Sequence, residues 1–471
     1  MLFNTIDFVI FLPIVIIFYF LLPHRLRWVL LLAASYFFYM SWKVEYIFLI
    51  IASTLVDYVS GIMMEKRSGR RSRLPFLILS LVTNLGLLFS FKYLNFATEN
   101  MNLIFHKIGF AREIPVVQLL LPVGISFYTF QTLSYSIDVY YGKQKAEKHL
   151  GYFALYVSFF PQLVAGPIER FSRLAPQLKA KHAFSYENLV NGLRLILYGL
   201  FIKMVIADNI SGIVDQVYDN PSQYASLDLL KGIFLYSFQI YSDFYGYSII
   251  AIGSALIMGI RIMDNFKTPY LAKNIAEFWQ RWHISLSTWF RDYLYYPMGG
   301  NRVSQARWIL NILVVFLVSG LWHGANWTFI IWGGLFGIIY LLEKATDRIV
   351  KIGFSPKAYS PGHIFLALKT FVLVSFIWVF FRSQSFGESI LVFKSLVKNI
   401  HLSSESLAIP LSTWLFLGVF VLSDIVLYNK RFDTWTARFS FPVRWLIYGF
   451  LIFAIIVFAG TENFPFIYFQ F

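Results

Sequence analysis

Two histidines in one short stretch of the chain carry the side chains best suited to proton or acyl transfer. His283 lies in EFWQRWHISLSTWF (277–290), and His323 lies in GLWHGANW (320–327). A neutral imidazole can take a proton from an attacking hydroxyl near pH 7. Inserting an ionisable group into a membrane with an apolar segment costs free energy, so such a group commonly has a function. The alternatives are structural: His323 packed between helices with its nitrogens on carbonyl groups, and His283 at the polar edge of an interfacial helix.

Four other side chains are candidates for supporting the histidines or lining a tunnel. Trp322 and Asn326 flank the second histidine and offer aromatic and amide groups for a shaped cavity. Gln239 and Asp243 lie in QIYSDFYGYS (239–248), inside an apolar segment. A carboxylate there costs about 2.5–3.5 kcal/mol on insertion scales and requires a partner. For Asp243 alone, a structural ion pair or hydrogen-bond hub is slightly favoured over a role in the tunnel wall.

Basic residues around the first histidine are candidates for contacting the phosphates of a nucleotide-like donor. These are Lys267, Arg281, Arg291 and Arg302. Arginine suits this task because its guanidinium makes bidentate contacts with phosphate. The alternative is the general excess of Lys and Arg in cytoplasmic loops, which is the favoured explanation for any single one of them.

Several kinds of chemistry have no support in the sequence. The chain contains no cysteine, which excludes disulfides, thiolate metal sites and an acyl-cysteine intermediate formed by these residues. We find no G-x-S-x-G elbow, no H-E-x-x-H metal pair and no G-x-x-x-x-G-K-[ST] loop. We therefore expect no metal site and no bound cofactor.

The composition indicates a membrane protein. Of the 471 residues, 58% are hydrophobic and 14% are charged, against roughly 25% charged in soluble domains. The net charge of +15 comes from short basic loops between apolar segments, as the positive-inside rule expects. No basic stripe or recognition motif indicates nucleic-acid binding. We expect one membrane-embedded domain over residues 1–471, in contact with membrane lipids.

Apolar segments of about 20 residues predict an all-α polytopic protein with eleven to twelve transmembrane helices, plus re-entrant and interfacial helices around a central tunnel. The predicted spans are 5–22, 28–42, 45–64, 75–96, 118–140, 187–207, 228–259, 307–322, 325–342, 364–381, 409–428 and 442–460. Basic residues flank the apolar segment 150–166 on both sides. A full crossing would place one flank on the wrong side, so we expect a re-entrant segment here.

The elements that carry the two histidines can also be predicted. Apolar residues recur with helical spacing from Ile275 to Tyr293, which predicts one amphipathic helix near the cytoplasmic leaflet with His283 at the edge of its apolar face. The 16 residues from Arg307 to His323 span about 24 Å as a helix. We therefore expect the two histidines at opposite ends of one path through the membrane. Gly333 and Gly337 form a small-xxx-small pair, which indicates close helix packing.

The paired histidine motifs resemble those of the membrane-bound O-acyltransferase family, in its bacterial branch of alginate and peptidoglycan O-acetyltransferases. They read EFWQRWHISLSTWFRDYLYYPMGGNR (277–302) and GLWHGANWTFIIWGGLFG (320–337). Similar stretches of that branch match LPVGISFYTFQTLSYSIDVYYG (121–142), FFPQLVAGPIER (159–170) and YSDFYGYSIIAIG (241–253). The resemblance covers nearly the whole chain.

The resemblance implies a function and roles for both histidines. The catalytic histidine of the family's W-H-G motif corresponds to His323, and the upstream histidine corresponds to His283. The family fold is a ring of tilted helices around a thinned centre, with a tunnel from a cytoplasmic donor to an acceptor outside. The branch implies acetyl-CoA as donor, an extracytoplasmic SGNH-type partner enzyme that acetylates a polysaccharide, and a multi-pass location in the bacterial cytoplasmic membrane.

We therefore predict an O-acyltransferase that moves an acetyl group across the membrane for O-acetylation of an extracytoplasmic polysaccharide. Two alternatives remain open. The chain resembles the related transferase that moves D-alanine from a carrier protein to teichoic acid, although PMGGNR (297–302) favours acetyl transfer. A transporter or export channel is the alternative from another class, but the sequence shows no inverted repeat of the kind common in transporters.

Overall fold

The structure, a computed structural model, describes residues 1–110, 113–117, 119–164, 166–350, 358–401, 407–459 and 466–467. These residues form helices and connecting turns, and no β-strand occurs among them. Within a helix the backbone N–H and C=O groups pair with one another except at the ends, which suits a lipid environment. The all-α fold is confirmed.

Eight helices within the described ranges are long and apolar enough to cross a membrane, so the multi-pass architecture is confirmed. They are Val44–Glu65, Arg70–Lys107, Tyr186–Asp219, Ser226–Ile257, Gln305–His323, Trp327–Asp347, Pro361–Arg382 and Phe441–Phe458. Two shorter apolar helices are Ile6–Leu21 and Leu411–Val426. The predicted spans 28–42 and 118–140 correspond to helices of only 17 and 16 residues. Positions 118 and 460, at the ends of two predicted spans, lie outside the described residues.

The described residues form two compact units, the first comprising residues 1–189 and 254–263. Its helices are α1 (Ile6–Leu21), α2 (His24–Met40), α3 (Ile47–Glu65), α4 (Arg70–Leu88), α5 (Leu94–Lys107), α6 (Ile125–Tyr140), α7 (Leu150–Ser158), α8 (Phe160–Leu163) and α9 (Phe171–Lys179). A π-helical turn, Phe89–Tyr93, joins α4 to α5. The buried carboxylate of Asp57 on α3 accepts hydrogen bonds from Ser80 and Asn84 on α4 and from Ser136 on α6. This polar cluster joins three helices of the first unit.

The predicted re-entrant segment 150–166 is not a continuous helix. It consists of α7 and the four-residue α8, with a break at Phe159. Nine residues of helix are about 14 Å long and cannot cross a bilayer. The prediction that this segment does not form one spanning helix is confirmed.

The second unit comprises residues 190–253 and 264–471. The helices wholly or mostly within it are α10 (Tyr186–Leu200), α11 (Asp208–Asp219), α12 (Ser226–Ile257), α13 (Ile275–Arg281), α14 (Ile284–Phe290), α15 (Gln305–His323), α16 (Trp327–Val350), α17 (Pro361–Arg382), α18 (Phe386–Lys398), α19 (Leu411–Val426), α20 (Phe432–Thr436) and α21 (Phe441–Phe458). Two π-helical turns, Phe201–Ala207 and Arg291–Tyr295, follow α10 and α14. Both predicted catalytic histidines belong to this unit.

Helices α15 and α16 pack against each other at van der Waals contact of their backbones. A Cβ atom added at Gly333 would lie 2.2 Å from the carbonyl oxygen of Phe316, and one added at Gly320 would lie 2.2 Å from that of Phe329. An added Cβ at Gly337 would lie 3.2 Å from Leu313. The predicted close packing at Gly333 and Gly337 is confirmed, and it fixes the end of α15 where His323 lies.

Candidate active site

His323 occupies the last turn of α15 and is almost completely buried, with 2% of its surface exposed. Three aromatic rings surround its imidazole at centroid distances of 4.9 Å (Trp322), 5.0 Å (Trp332) and 5.3 Å (Phe381). The helix ends directly after it because Gly324 adopts an extended conformation. The C-terminal end of a helix carries partial negative charge, which favours an imidazolium that forms there during proton transfer.

His283 lies in a break between two short helices, α13 and α14, and its side chain is fully buried. Its backbone adopts the left-handed conformation, with φ 41° and ψ 54°. A residue with a Cβ atom pays about 1–2 kcal/mol for this conformation, and such strain often occurs at functional sites. The prediction of one continuous amphipathic helix with this histidine on its surface is wrong.

The break is stabilised by a segment that is distant in sequence. The backbone N–H of Lys267 donates to the carbonyl of Arg281, and the N–H of Ile284 donates to the carbonyl of Asn265, both at 2.9 Å. Trp282, at the break, packs its fully buried ring on Trp378 at 5.1 Å. These partners satisfy the backbone groups that a continuous helix would have paired internally.

The two histidine rings lie side by side, with their centroids 6.4 Å apart. Trp322 is in edge contact with both, at 6.0 Å from His283 and 4.9 Å from His323. The prediction that the histidines mark opposite ends of a path is wrong. It assumed that the short helices α13 and α14 lie at the membrane surface, whereas the break between them buries His283 beside the end of α15.

The hydrogen bonds of His283 define its tautomer. Its Nδ1 lies 3.1 Å from Oδ1 of Asn265, and the same oxygen accepts from the backbone N–H and the hydroxyl of Ser285 at 3.2 and 2.9 Å. Since this amide oxygen can only accept, Nδ1 carries the proton and Nε2 carries the lone pair. Sequence analysis missed Asn265 and Ser285, although Ser285 follows His283 by only two residues.

Burial lowers the pKa of His283 to about 3. The ring is therefore neutral at physiological pH, and Nε2 can accept a proton or a hydrogen bond. This shift arises from desolvation of the buried ring. A neutral imidazole in a water-poor site suits the polarisation of a hydroxyl better than the binding of an anion.

The other predicted site residues lie at different distances from this pair. Trp322 contacts both rings. Asn326 accepts from the N–H of Thr328 at the start of α16 and donates to the carbonyl of Gln384, and both contacts are structural. Gln239 donates to the hydroxyl of Ser211 at 3.0 Å.

Asp243 forms part of a buried ion cluster. Lys203 Nζ lies 2.6 Å from Asp243 and 2.7 Å from Asp208, and the N–H of Ile467 donates to Asp243 at 2.7 Å. These contacts match the structural ion-pair alternative. The next residue on α12, Phe244, packs edge-on against His283 at 4.7 Å. The cluster thus holds the helix that supplies one wall of the histidine site.

The three arginines predicted to bind the donor differ in their surroundings. Arg281 pairs with Glu277 at 2.9 Å and donates to the Lys267 carbonyl, so it is engaged within the protein. Arg291 pairs with its neighbour Asp292 and lines a cavity. Arg302 is exposed.

Two cavities border neighbours of the histidines. One, of about 400 Å³, is mainly apolar and is lined by Ile284, which follows His283, and by Ser319, one turn before His323. The other, of about 360 Å³, includes Asn265, the hydrogen-bond partner of His283. It is also bordered by charged residues, namely Asp264, Lys267, Lys430, Arg431 and Arg438.

The arrangement can catalyse transfer of an acyl group to a hydroxyl. Two imidazoles 6.4 Å apart can contact one small reacting group, and one of them can take the hydroxyl proton. The surrounding tryptophan and phenylalanine rings exclude water, which would otherwise compete as the acyl acceptor.

Comparison with known proteins agrees with this chemistry. Residues 147–382 match the model of the membrane-bound O-acyltransferase family. The chain is 40% identical to "Probable alginate O-acetylase AlgI" of Azotobacter vinelandii, with 80% of this chain and 74% of that protein covered. It is 36% identical to the peptidoglycan O-acetyltransferase of Helicobacter pylori, with 86% and 82% covered. It is 32% identical to the teichoic acid D-alanyltransferase of Bacillus subtilis, with only 45% and 56% covered.

The buried histidine pair, the polytopic helical fold and these similarities agree with one another: the chain belongs to the membrane-bound O-acyltransferase family and is an O-acyltransferase.

Proposed function

We propose that this protein transfers an acetyl group from acetyl-CoA, on the cytoplasmic side, to a hydroxyl acceptor for O-acetylation of an extracytoplasmic polysaccharide. The observation that carries the proposal is the buried contact of His283, Trp322 and His323, with the two imidazoles 6.4 Å apart. The names of the alginate and peptidoglycan relatives described above support an acetyl group and a polysaccharide acceptor.

In this mechanism His323 acts as general base. It takes the proton of the acceptor hydroxyl while the oxygen attacks the thioester carbonyl, so the C–O bond forms and the C–S bond breaks. The imidazolium then returns the proton to the departing thiolate. His283, neutral and with a lone pair on Nε2, orients the reacting groups. In a two-step variant His323 holds the acetyl group briefly before the hydroxyl attacks.

We assign the donor's phosphates to the basic cavity. Lys267, Lys430 and Arg438 border it and form no ion pair with a described residue, whereas Arg431 pairs with Asp433 at 3.0 Å. Lys267 was among the residues expected from sequence to contact phosphates. Three unpaired cations at one opening suit a polyphosphorylated donor.

The interior of this cavity suits the amide-bearing arm of such a donor. Ser248 Oγ, Asn265 Nδ2 and Thr268 Oγ1 are buried and have no hydrogen-bond partner among the described residues. Buried polar groups normally find a partner, so these atoms favour a polar ligand. Arg281 braces the wall by donating to the Lys267 carbonyl and to Asn429 Oδ1, both at 3.0 Å. We therefore assign Arg281 to supporting the cavity, and neither Arg291 nor Arg302 to the phosphates.

Further parts of the proposal rest on the relatives. We propose the bacterial cytoplasmic membrane as location and an extracytoplasmic SGNH-type enzyme as the partner that passes the acetyl group to the polysaccharide. Transfer of D-alanine is disfavoured because the teichoic acid D-alanyltransferase matches less than half of this chain. A transport function does not account for two buried imidazoles in contact with one tryptophan.

Replacement of His323 tests the proposal. We expect His323→Ala to lower cell-surface acetyl ester to below about 1% of wild type at equal membrane levels, because it removes the base. The matched control is His363→Gln. His363 is equally buried, but its nitrogens contact the Tyr359 N–H and the Leu271 carbonyl, so its variant should retain transfer. Unchanged esters in His323→Ala would refute the proposal.

The donor site is tested in membranes supplied with acetyl-CoA and the cell's isolated polysaccharide. Release of CoA is measured with a thiol reagent, which does not react with this chain because it has no cysteine. We expect Arg438→Glu to raise the KM for acetyl-CoA about tenfold, with kcat little changed. An unchanged KM in Arg438→Glu and Lys430→Glu would refute the assignment.

A further inference from the structure

Asn265 makes polar contacts with both the His283 ring and the residues that follow it. Its Oδ1 accepts from the Ser285 N–H at 3.2 Å and from the Ser285 hydroxyl at 2.9 Å, and lies 3.1 Å from Nδ1 of His283. Its backbone carbonyl accepts from the N–H of Ile284 at 2.9 Å. One residue therefore binds both the ring and the left-handed backbone on which the ring is carried.

The opposite orientation of the Asn265 amide is excluded by the Ser285 backbone. A backbone N–H can only donate, so it must face the amide oxygen and not the NH2 group. Because the oxygen is fixed in this way, the imidazole nitrogen next to it must be a donor. The Nδ1–H tautomer of His283 is thus set from outside the ring.

We propose that Asn265 is a positioning residue that keeps His283 in the Nδ1–H tautomer and presents the Nε2 lone pair to the reacting groups. The inference rests on the proposed acetyl transfer and adds a residue to it. Exchange to the other tautomer would place a proton on Nε2. The nitrogen could then no longer accept a hydrogen bond from the hydroxyl that receives the acetyl group.

The surroundings of His283 make this contact decisive. Phe244 of α12 and Trp322 of α15 present apolar rings, and His323 is the titratable neighbour from α15. Asn265 itself borders the basic cavity, which carries Asp264, Lys267, Lys430, Arg431 and Arg438. Asn265 therefore contacts His283 and also borders the cavity that carries these charges, whereas Phe244 and Trp322 are apolar.

Asn265→Asp is the informative variant because it keeps the shape and the acceptor oxygen. Three donors and the nearby cations favour its ionised form. A carboxylate at this place stabilises the imidazolium of His283 and raises its pKa. Protonation removes the Nε2 lone pair, so we expect the pKa of His283 to rise by about one to three units. The kcat should then fall more steeply with acid than in wild type, because His283 and His323 must both be unprotonated, with activity retained at about pH 8–9.

Two further variants separate positioning from folding. Asn265→Ala removes the acceptor, and we expect kcat to fall about 10- to 100-fold, with a smaller rise in the KM for acetyl-CoA because the amide also borders the donor cavity. His363→Gln changes a buried histidine outside these contacts, so its kcat should stay within about threefold of wild type. In 15N spectra of detergent-solubilised protein, the wild type should show His283 with a protonated Nδ1 and an unprotonated Nε2.

The results for the Asn265 variants can be told apart from a failure of the proposed acetyl transfer. If His323→Ala is inactive while Asn265→Asp keeps the wild-type pH profile, the role of Asn265 is refuted and acetyl transfer stands. A protonated Nε2 in the wild-type spectrum would also refute it. If His323→Ala keeps full transfer, the proposed function fails first, whatever the pH profiles show.

Discussion

A buried neutral imidazole couples the catalytic site to the stability of the protein. Burial lowers the pKa of His283 to about 3 in the folded state, against about 6.5 in an unfolded chain. The folded state therefore binds fewer protons at this residue between these two values. The stability that this arrangement provides is complete above pH 6.5 and is lost as the pH falls towards 3.

This difference predicts a pH-dependent melting temperature. Between pH 7 and pH 5, we expect His283 to reduce the free energy of unfolding by about 2 kcal/mol, because the unfolded ring becomes protonated and the folded ring does not. The measurement is the thermal midpoint of the detergent-solubilised protein at both pH values. His283→Gln should show a smaller drop than wild type. Equal drops in the two proteins would contradict the neutral state of His283.

At the scale of the elements, the sequence predicted α15 and α16 well and the α13–α14 region poorly. The glycine pair on α16 and the two apolar segments are local features of the sequence. The helical hairpin formed by α15 and α16 could therefore be predicted. The break at Trp282 and His283 has no glycine or proline to mark it. It depends on Asn265 and Lys267, which pair with the freed backbone groups from a distant part of the chain. Tertiary contacts of this kind do not appear in the helical periodicity of the sequence. Neither the break nor its partner Asn265 could therefore be predicted.

Neighbouring glycines on α16 provide a matched test of the hairpin. A Cβ atom at Gly333 would lie 2.2 Å from the Phe316 carbonyl oxygen, whereas one at Gly334 would lie 3.4 Å from the flexible end of Leu317. We expect Gly333→Ala to cost about 3 kcal/mol or more, since backbone atoms cannot give way, and to lose most transfer activity. Gly334→Ala should retain both. The measurements are the thermal midpoint and the release of CoA; similar losses in both variants would contradict the close packing at Gly333.

At the scale of the whole molecule, composition and motifs predicted the family, the helical class and the membrane location. The number of spans was harder, because α2 and α6 are apolar in part yet only 17 and 16 residues long. The partner of Asp243 could not be predicted either. Lys203 lies forty residues earlier, in a π-helical turn between α10 and α11, and a single apolar segment contains no sign of that pairing. The described residues form two compact units, and the expectation of one membrane-embedded domain stays a prediction.

The cluster of Lys203, Asp208 and Asp243 joins separate parts of the second unit and contains one cation for two carboxylates. All three side chains are almost fully buried. Lys203→Met would leave two buried carboxylates without a cation, and we expect it to cost about 3–5 kcal/mol. Asp208→Asn keeps the pair of Lys203 with Asp243 and should stay within about 1 kcal/mol of wild type. Thermal midpoints and the yield of monodisperse protein in detergent measure both variants.

The contacts of Asp243 with Lys203 and with the Ile467 N–H indicate a structural role for this cluster. Transfer activity should therefore fall in proportion to the folded fraction of each variant. Loss of transfer in Lys203→Met at a normal folded fraction would show that this cluster takes part in the chemistry instead.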